Sequence, residues 1–267
     1  MRINNLNKLK PKALIVFDLD GTLAPTKSVI DSEMNRLMAR LLAVKKVAVI
    51  GGGKYQLFQE QLLNELSAPK SLLKNLFLFP TTANVFYRYQ NTAWKKVYSH
   101  DLPKEQIKQI IQTFYRVLKE INYRHPKKLY GKLIENRGTQ VTFSALGQDV
   151  VKLLGKKGIA MKEEWTKKNR PLKLKIAKRV AKYLPQLEVH AAGYTSIDVT
   201  KKGIDKAYGL KQIQKYLRVP IKNMLFVGDA IFPGGNDYAI TKTKVDYLSV
   251  KNPEDTKRII RHILKDG

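Results

Sequence analysis

The run Ala13-Leu14-Ile15-Val16-Phe17 passes directly into Asp18-Leu19-Asp20-Gly21-Thr22. A short apolar, partly β-branched run stopped by a turn signal predicts a strand buried on both faces. Two further runs end in the same way: Val47–Ile50 before Gly51-Gly52-Gly53, and Met224–Val227 before Gly228-Asp229. Helical patterns over Ser32–Leu42, Gln56–Glu65 and Lys206–Tyr216 lie between and beside them. Strands alternating with helices predict an α/β protein with a doubly wound, Rossmann-like parallel-sheet core. Ligands of such sheets bind outside the carboxyl ends of the strands, which is where all three clusters fall.

The middle of the chain has a different texture. Val85–Tyr89 and Lys95–Tyr98 predict a hairpin around Gln90-Asn91, and Lys104–Ile121 carries one apolar helical face. Leu133–Glu135, Gln140–Phe143, Leu187–Ala191 and Ser196–Val199 read as strands, Arg170–Leu184 as a helix, and the Lys-rich Lys152–Lys168 as a mobile loop. The expected organisation is a core domain in two parts, residues 1–87 and 201–267, with an inserted α+β cap domain over 88–200.

Composition narrows the function classes. The 267 residues are 43% hydrophobic, enough for a sizeable core, and contain no cysteine. Disulfide scaffolds, thiol nucleophiles and Cys-ligated zinc are therefore excluded. Against 22 Asp and Glu stand 50 Lys and Arg, a formal net charge of +28 that favours anionic partners. No helix-turn-helix, finger or base-stacking motif accompanies this charge, which argues against nucleic acid as the partner. No apolar run reaches the length of a secretory or membrane segment, so a soluble cytoplasmic protein is expected, with no membrane association.

The chemistry is concentrated in the acids. Asp18 and Asp20 alternate along an extended chain and would point apart, unless Gly21 permits the turn that swings the second carboxylate back. Close carboxylates repel and take up protons unless a cation lies between them. This predicts an aspartate nucleophile and an aspartate acid/base around magnesium, against the plainer reading of an ordinary strand-end turn. Asp229 would complete the metal set that Asp18 and Asp20 begin, with Asn236 and Asp237 as supporting groups. Lys206, opening a helix after Gly203-Ile204-Asp205, is placed to hold the Asp18 carboxylate and a transferring phosphoryl group together. The Gly51–Gly53 run offers backbone amides to a phosphate but matches neither the Walker nor the dinucleotide pattern.

Taken in order, Asp18-x-Asp20-Gly21-Thr22, Gly51-Gly52, Lys206 and Gly228-Asp229…Asn236-Asp237 resemble the four motifs of the haloacid dehalogenase superfamily. Phe58-Gln59-Glu60-Gln61-Leu62, Ile134-Glu135-Asn136-Arg137, Ser196-Ile197-Asp198-Val199, Pro233-Gly234-Gly235-Asn236-Asp237 and Pro253-Glu254-Asp255-Thr256 extend the resemblance to the phosphomannomutase-like branch with its large α/β cap. The resemblance implies two-step phosphoryl transfer through an aspartyl-phosphate on Asp18, with Asp20 as acid and base. It implies Mg2+ held by Asp18, the Asp20 carbonyl and Asp229, and hexose 1,6-bisphosphate as activator if the enzyme is a mutase. It places Thr22, Lys27, Gly51, Gly52, Arg137, Ser196 and Asp198 against a small phosphorylated sugar, and it implies a homodimer through the cap. One departure stands out: Gln148, after Ser144-Ala145-Leu146-Gly147, occupies the place of a phosphate-binding arginine. Three readings stay open on sequence alone: a mutase interconverting mannose 6-phosphate and mannose 1-phosphate, a sugar-phosphate phosphatase, and a nucleic-acid-binding protein on an inactive scaffold.

Overall fold

The computed structural model of the chain describes residues 12–26 and 28–265. Its first apolar run forms β1 (Leu14–Asp18), followed by β2 (Lys46–Ile50), β3 (Leu76–Phe79), β4 (Val85–Gln90) and β5 (Ala93–Ser99). Late in the chain, β10 (Met224–Gly228) and β11 (Asp246–Ser249) join the same seven-stranded sheet, ordered β11-β10-β1-β2-β3-β4-β5. The neighbours from β11 to β3 pair parallel, while β4 and β5 add an antiparallel hairpin at one edge. The chain leaves β1 for β2 on one side, and β10 returns on the other. That reversal opens a crevice at the carboxyl ends of β1 and β10.

Both faces of the sheet are covered, as continuous apolar strands require. Ile15 and Phe17 pack with Met34, Met38 and Leu41 of α1 (Ser32–Val44) and Ile260 of α7 (Pro253–Lys265). Leu14 and Val16 pack with Leu210 and Ile213 of α6 (Lys206–Leu217) on the opposite face. Each such side chain contributes about 1.5–3 kcal/mol by leaving water. Caps fix where the helices begin. Asp31 accepts from the amides of Glu33 and Met34 at 3.1 and 2.8 Å, and Asp205 accepts from Tyr208 at 2.8 Å.

Two short elements support the strand ends. The helix predicted over Gln56–Glu65 is one α-turn, α2 (Tyr55–Phe58), running into a wider π-helical turn, Gln59–Leu63. In α3 (Pro80–Ala83), Thr81, Thr82 and Ala83 all carry positive φ, a left-handed turn that β-branched residues rarely adopt. The Thr81 and Thr82 amides donate to the carbonyls of Gly53 and Gly51, each at 2.9 Å, so this strained turn braces the glycine run.

The chain divides into two compact units, one formed by the chain up to Ser99 and from Asp205 onward, the other His100–Ile204. These edges differ from the expected 88 and 200. Phe77 and Leu78 of β3 pair with Arg88 and Tyr87, so the hairpin extends the large sheet. At the other end, residue 200 falls inside β9 (Ser196–Lys201).

In the second unit, β6 (Ile134–Asn136), β7 (Gln140–Ser144), β8 (Leu187–His190) and β9 form an antiparallel sheet ordered β6-β7-β9-β8. Val141, Phe143, Ile197 and Val199 pack on α4 (Lys104–Glu120) and α5 (Val150–Tyr183) through Ile110, Phe114, Val117, Ile176 and Val180. The alternate residues Gln140, Thr142, Ser144, Ser196, Asp198 and Thr200 share the other, polar face. The mobile loop expected over Lys152–Lys168 is instead helical, the first part of α5, broken only by Gly155 at φ 53. Lysine is a good helix former, and its charge count is no signal of disorder when Val150, Val151 and Ile176 anchor the helix.

Candidate active site

Asp18 is the last residue of β1, and Lys206 is the first of α6; chain folding brings them from 188 residues apart to 2.5 Å between Nζ and Oδ1. The same ammonium group donates to Oδ1 of Asp237, whose Oδ2 accepts from the amide of Ala230 at 3.1 Å. All three side chains are buried: Asp18 is 3% exposed, Lys206 1% and Asp237 0%. Burial pulls Lys206 toward the neutral form, but the Asp18 and Asp237 carboxylates outweigh it and raise its pKa, so it stays charged. Burial also lifts the Asp18 carboxyl well above its ordinary range; Asp237 and Asp229 add to the lift, and Lys206 opposes it.

Asp229, which directly follows β10, closes the group. One carboxylate oxygen from each of Asp18, Asp229 and Asp237 lies within 4.8 Å of the others. Asp229 is pushed up by burial and by Asp237. Three crowded acids face one ammonium group, and an all-oxygen donor set suits a hard divalent cation. The residues fit such an ion. The sequence had Asp18, Asp20 through its carbonyl, and Asp229 for this role, with Asp237 only in support; the structure brings Asp237 into the carboxylate cluster.

Two glycines permit the crowding. Gly21 has φ +80, and a Cβ there would lie 2.5 Å from Oδ2 of Asp229; at Gly228 one would lie 2.4 Å from Oδ2 of Asp237. The Gly21 amide closes the turn on the Ala24 carbonyl at 2.7 Å. This is the reversal expected after Asp20. Asp20 itself is half-buried, and its Oδ1 accepts from Nε2 of Gln61 at 3.0 Å. Nothing local to Gln61 in the sequence shows that it reaches Asp20 across 41 residues.

The remaining candidates fare differently. Thr22 is fully buried, and its hydroxyl has no hydrogen-bond partner among the described residues. Gly51 lies at the end of β2, where its amide donates to the Phe79 carbonyl at 3.3 Å rather than facing outward; Gly52 is half-buried beside it. Asn236 is exposed. Lys27 lies outside the described residues.

The family model described as eukaryotic phosphomannomutase matches residues 34–266, nearly the whole sequence. The chain belongs to the eukaryotic phosphomannomutase family. It is similar to the phosphomannomutase of Saccharomyces cerevisiae, 26% identical over 261 residues that cover 96% of each chain. It is also similar to that of Encephalitozoon cuniculi, 28% identical over 257 residues and covering 95% of this chain and 94% of the relative. Among solved structures, a truncated, IMP-bound Plasmodium falciparum IMP-nucleotidase shares the fold at a TM-score of 0.70 and 17% identity, over 97% of this chain and 70% of that one. Trehalose-6-phosphate phosphatase of Aspergillus fumigatus does so at 0.55 and 16%, over 97% and 96%. The fold is that of the haloacid dehalogenase superfamily, and this member of the phosphomannomutase family is a phosphotransferase.

In the second unit of this phosphomannomutase-family chain, Arg137 donates through Nε to Glu135 at 2.8 Å and through a terminal nitrogen to Oε1 of Gln148 at 3.1 Å. Gln148 in turn donates to the Thr142 carbonyl at 3.0 Å. The neutral Gln148 thus props the arginine. Asp198 accepts from the Thr142 hydroxyl at 2.6 Å, and Ser196 stands two residues before it on the same face. Arg137, Ser196 and Asp198 belong to one polar sheet face; Asp18, Asp20, Lys206, Asp229 and Asp237 belong to the strand ends of the first unit.

Proposed function

We propose that the chain interconverts mannose 6-phosphate and mannose 1-phosphate by two phosphoryl transfers through Asp18. A carboxylate oxygen of Asp18 attacks phosphorus, the bond from phosphorus to the sugar oxygen breaks, and Asp20 gives that oxygen its proton. In the return step Asp20 removes the proton of the accepting sugar hydroxyl, which takes the phosphoryl group from Asp18. Lys206 keeps Asp18 oriented and holds positive charge where the transferring group gathers negative charge. Asp18, Asp229 and the Asp20 carbonyl would hold Mg2+, which when bound neutralises charge on the phosphoryl oxygens. Arg137, Ser196 and Asp198 would take the distal phosphate and hydroxyls, with Thr22, Gly51 and Gly52 on the side of the transferred phosphate and Lys27 as a further cation for a substrate phosphate. A cytoplasmic location and a homodimer through the second unit accompany this reading.

The observation that carries it is the buried contact of Lys206 with Asp18 beside Asp229 and Asp237. Incubation with mannose 1-phosphate, Mg2+ and a trace of hexose 1,6-bisphosphate tests it, with mannose 6-phosphate as the expected product. Free phosphate released without 6-phosphate would overturn the mutase assignment. That outcome is the second reading, a phosphatase, favoured by one feature: the uncharged Gln148 leaves Arg137 to hold the distal phosphate while already paired with Glu135.

A further inference from the structure

Gln61 lies within the π-helical turn Gln59–Leu63, which is closed by the Asn64 amide on the Gln59 carbonyl at 2.9 Å. Such wide turns occur in proteins mostly as isolated single turns, frequently at functional sites. The residue is 2% exposed. Its Nε2 donates to Oδ1 of Asp20 and to the Ser28 carbonyl, each at 3.0 Å. A backbone carbonyl cannot donate, so this pair of contacts fixes which end of the amide is nitrogen. The Oε1 end is buried without a hydrogen-bond partner among the described residues. A side chain kept only to fill space would be apolar or satisfied at both ends; here one end goes unpaired while the other grips a carboxylate. The backbone repeats the tie, since the Gln61 carbonyl accepts from the Ile30 amide at 2.9 Å. Gln61 therefore clips both ends of the 20–30 segment to one turn.

We infer that Gln61 is a positioning residue for phosphoryl transfer. It fixes the Asp20 carboxyl group in the orientation from which a proton passes to the departing sugar oxygen and is taken back from the accepting hydroxyl. The inference rests on the acid–base reading of Asp20, so it has a signature in the leaving group. A sugar alkoxide must be protonated as its bond to phosphorus breaks, whereas p-nitrophenolate departs without a proton. Losing the position of Asp20 should slow the first and spare the second.

Gln61→Met keeps length and volume but cannot donate; Gln61→Asn keeps the amide but is one methylene too short to span both acceptors. With mannose 1-phosphate, Gln61→Met should lose about 10- to 100-fold in kcat, part of what a placed acid–base group supplies, while KM stays near the wild-type value. The stopped-flow burst of nitrophenolate from p-nitrophenyl phosphate, which reports phosphorylation of Asp18, should change far less. Equal losses on both substrates would assign Gln61 to packing, and an unchanged kcat would remove it from the reaction; either overturns the inference. Gln61→Asn should show the same split, and carries the test alone if Gln61→Met fails to fold. Asp20→Asn separates the two levels: a burst spared as turnover is lost supports Asp20 as the acid and base. If Asp20→Asn shows no such split, the reading of Asp20 fails, whatever Gln61 does.

Discussion

At Lys206 one positive charge stands between two buried carboxylates, with a third nearby, and that imbalance governs what a substitution does. Lys206→Met fills the same space without charge and leaves Asp18 and Asp237 buried and uncompensated. The expected cost at neutral pH is about 3 kcal/mol in a urea melt, the low end for breaking a buried pair, together with at least ~100-fold in kcat. A variant as stable as the wild type would show that the carboxylates simply take up protons. Lys206 was recognisable in the sequence by position alone, among 50 Lys and Arg. Its second partner was not, because nothing in Gly234-Gly235-Asn236-Asp237 shows that the last residue turns inward to full burial and the one before it outward.

Among the elements, α1 shows how a cap couples stability to pH. Burial acts to raise the Asp31 carboxyl, but the Lys257 hydrogen bond outweighs it, helped by the Met34 and Glu33 amides, and holds it below the ordinary range. A carboxyl lowered in the folded state stabilises above its unfolded value of about 3.9, and the benefit fades as pH falls through the lower folded value. Asp31→Ala should therefore cost about 1 kcal/mol at pH 7, and the gap between thermal melts of the two proteins should begin to narrow as pH falls below about 4. A gap that does not narrow as the pH is lowered from there would contradict this. The apolar runs predicted β1, β2 and β10 to within a residue or so, because burial on both faces leaves a local mark. The edge hairpin was predicted as strands, but that it extends the large sheet was not legible, since pairing partners are not local. The π turn and the left-handed Thr81-Thr82-Ala83 turn left no mark, because both are imposed by what they brace.

For the whole molecule, the acid cluster predicts a stability that depends on a divalent ion. Mg2+ at a hundredfold excess over its Kd should stabilise the fold by about 2.7 kcal/mol, read as a rise in Tm that a chelator reverses. Asp229→Asn should abolish the rise while leaving the ion-free Tm equal or higher, since it removes one of three repelling carboxylates. A rise of equal size in the variant would place the ion elsewhere. No helix among the described residues is long and apolar enough to cross a membrane. The net charge of +28 stays a property of the composition: among the described residues the first-unit site holds one cation, Lys206, among several acids. By itself the sequence determined the alternation of strand and helix and the strand ends at which Asp18 and Asp229 fall, because burial period and turn chemistry act over a few residues. Tertiary structure alone decided that Asp237 shares Lys206 with Asp18, that Gln61 reaches Asp20, and that Gln148 props Arg137. Each of these contacts joins residues whose neighbours in the chain do not specify them, and only packing around the sheets brings them within a hydrogen bond.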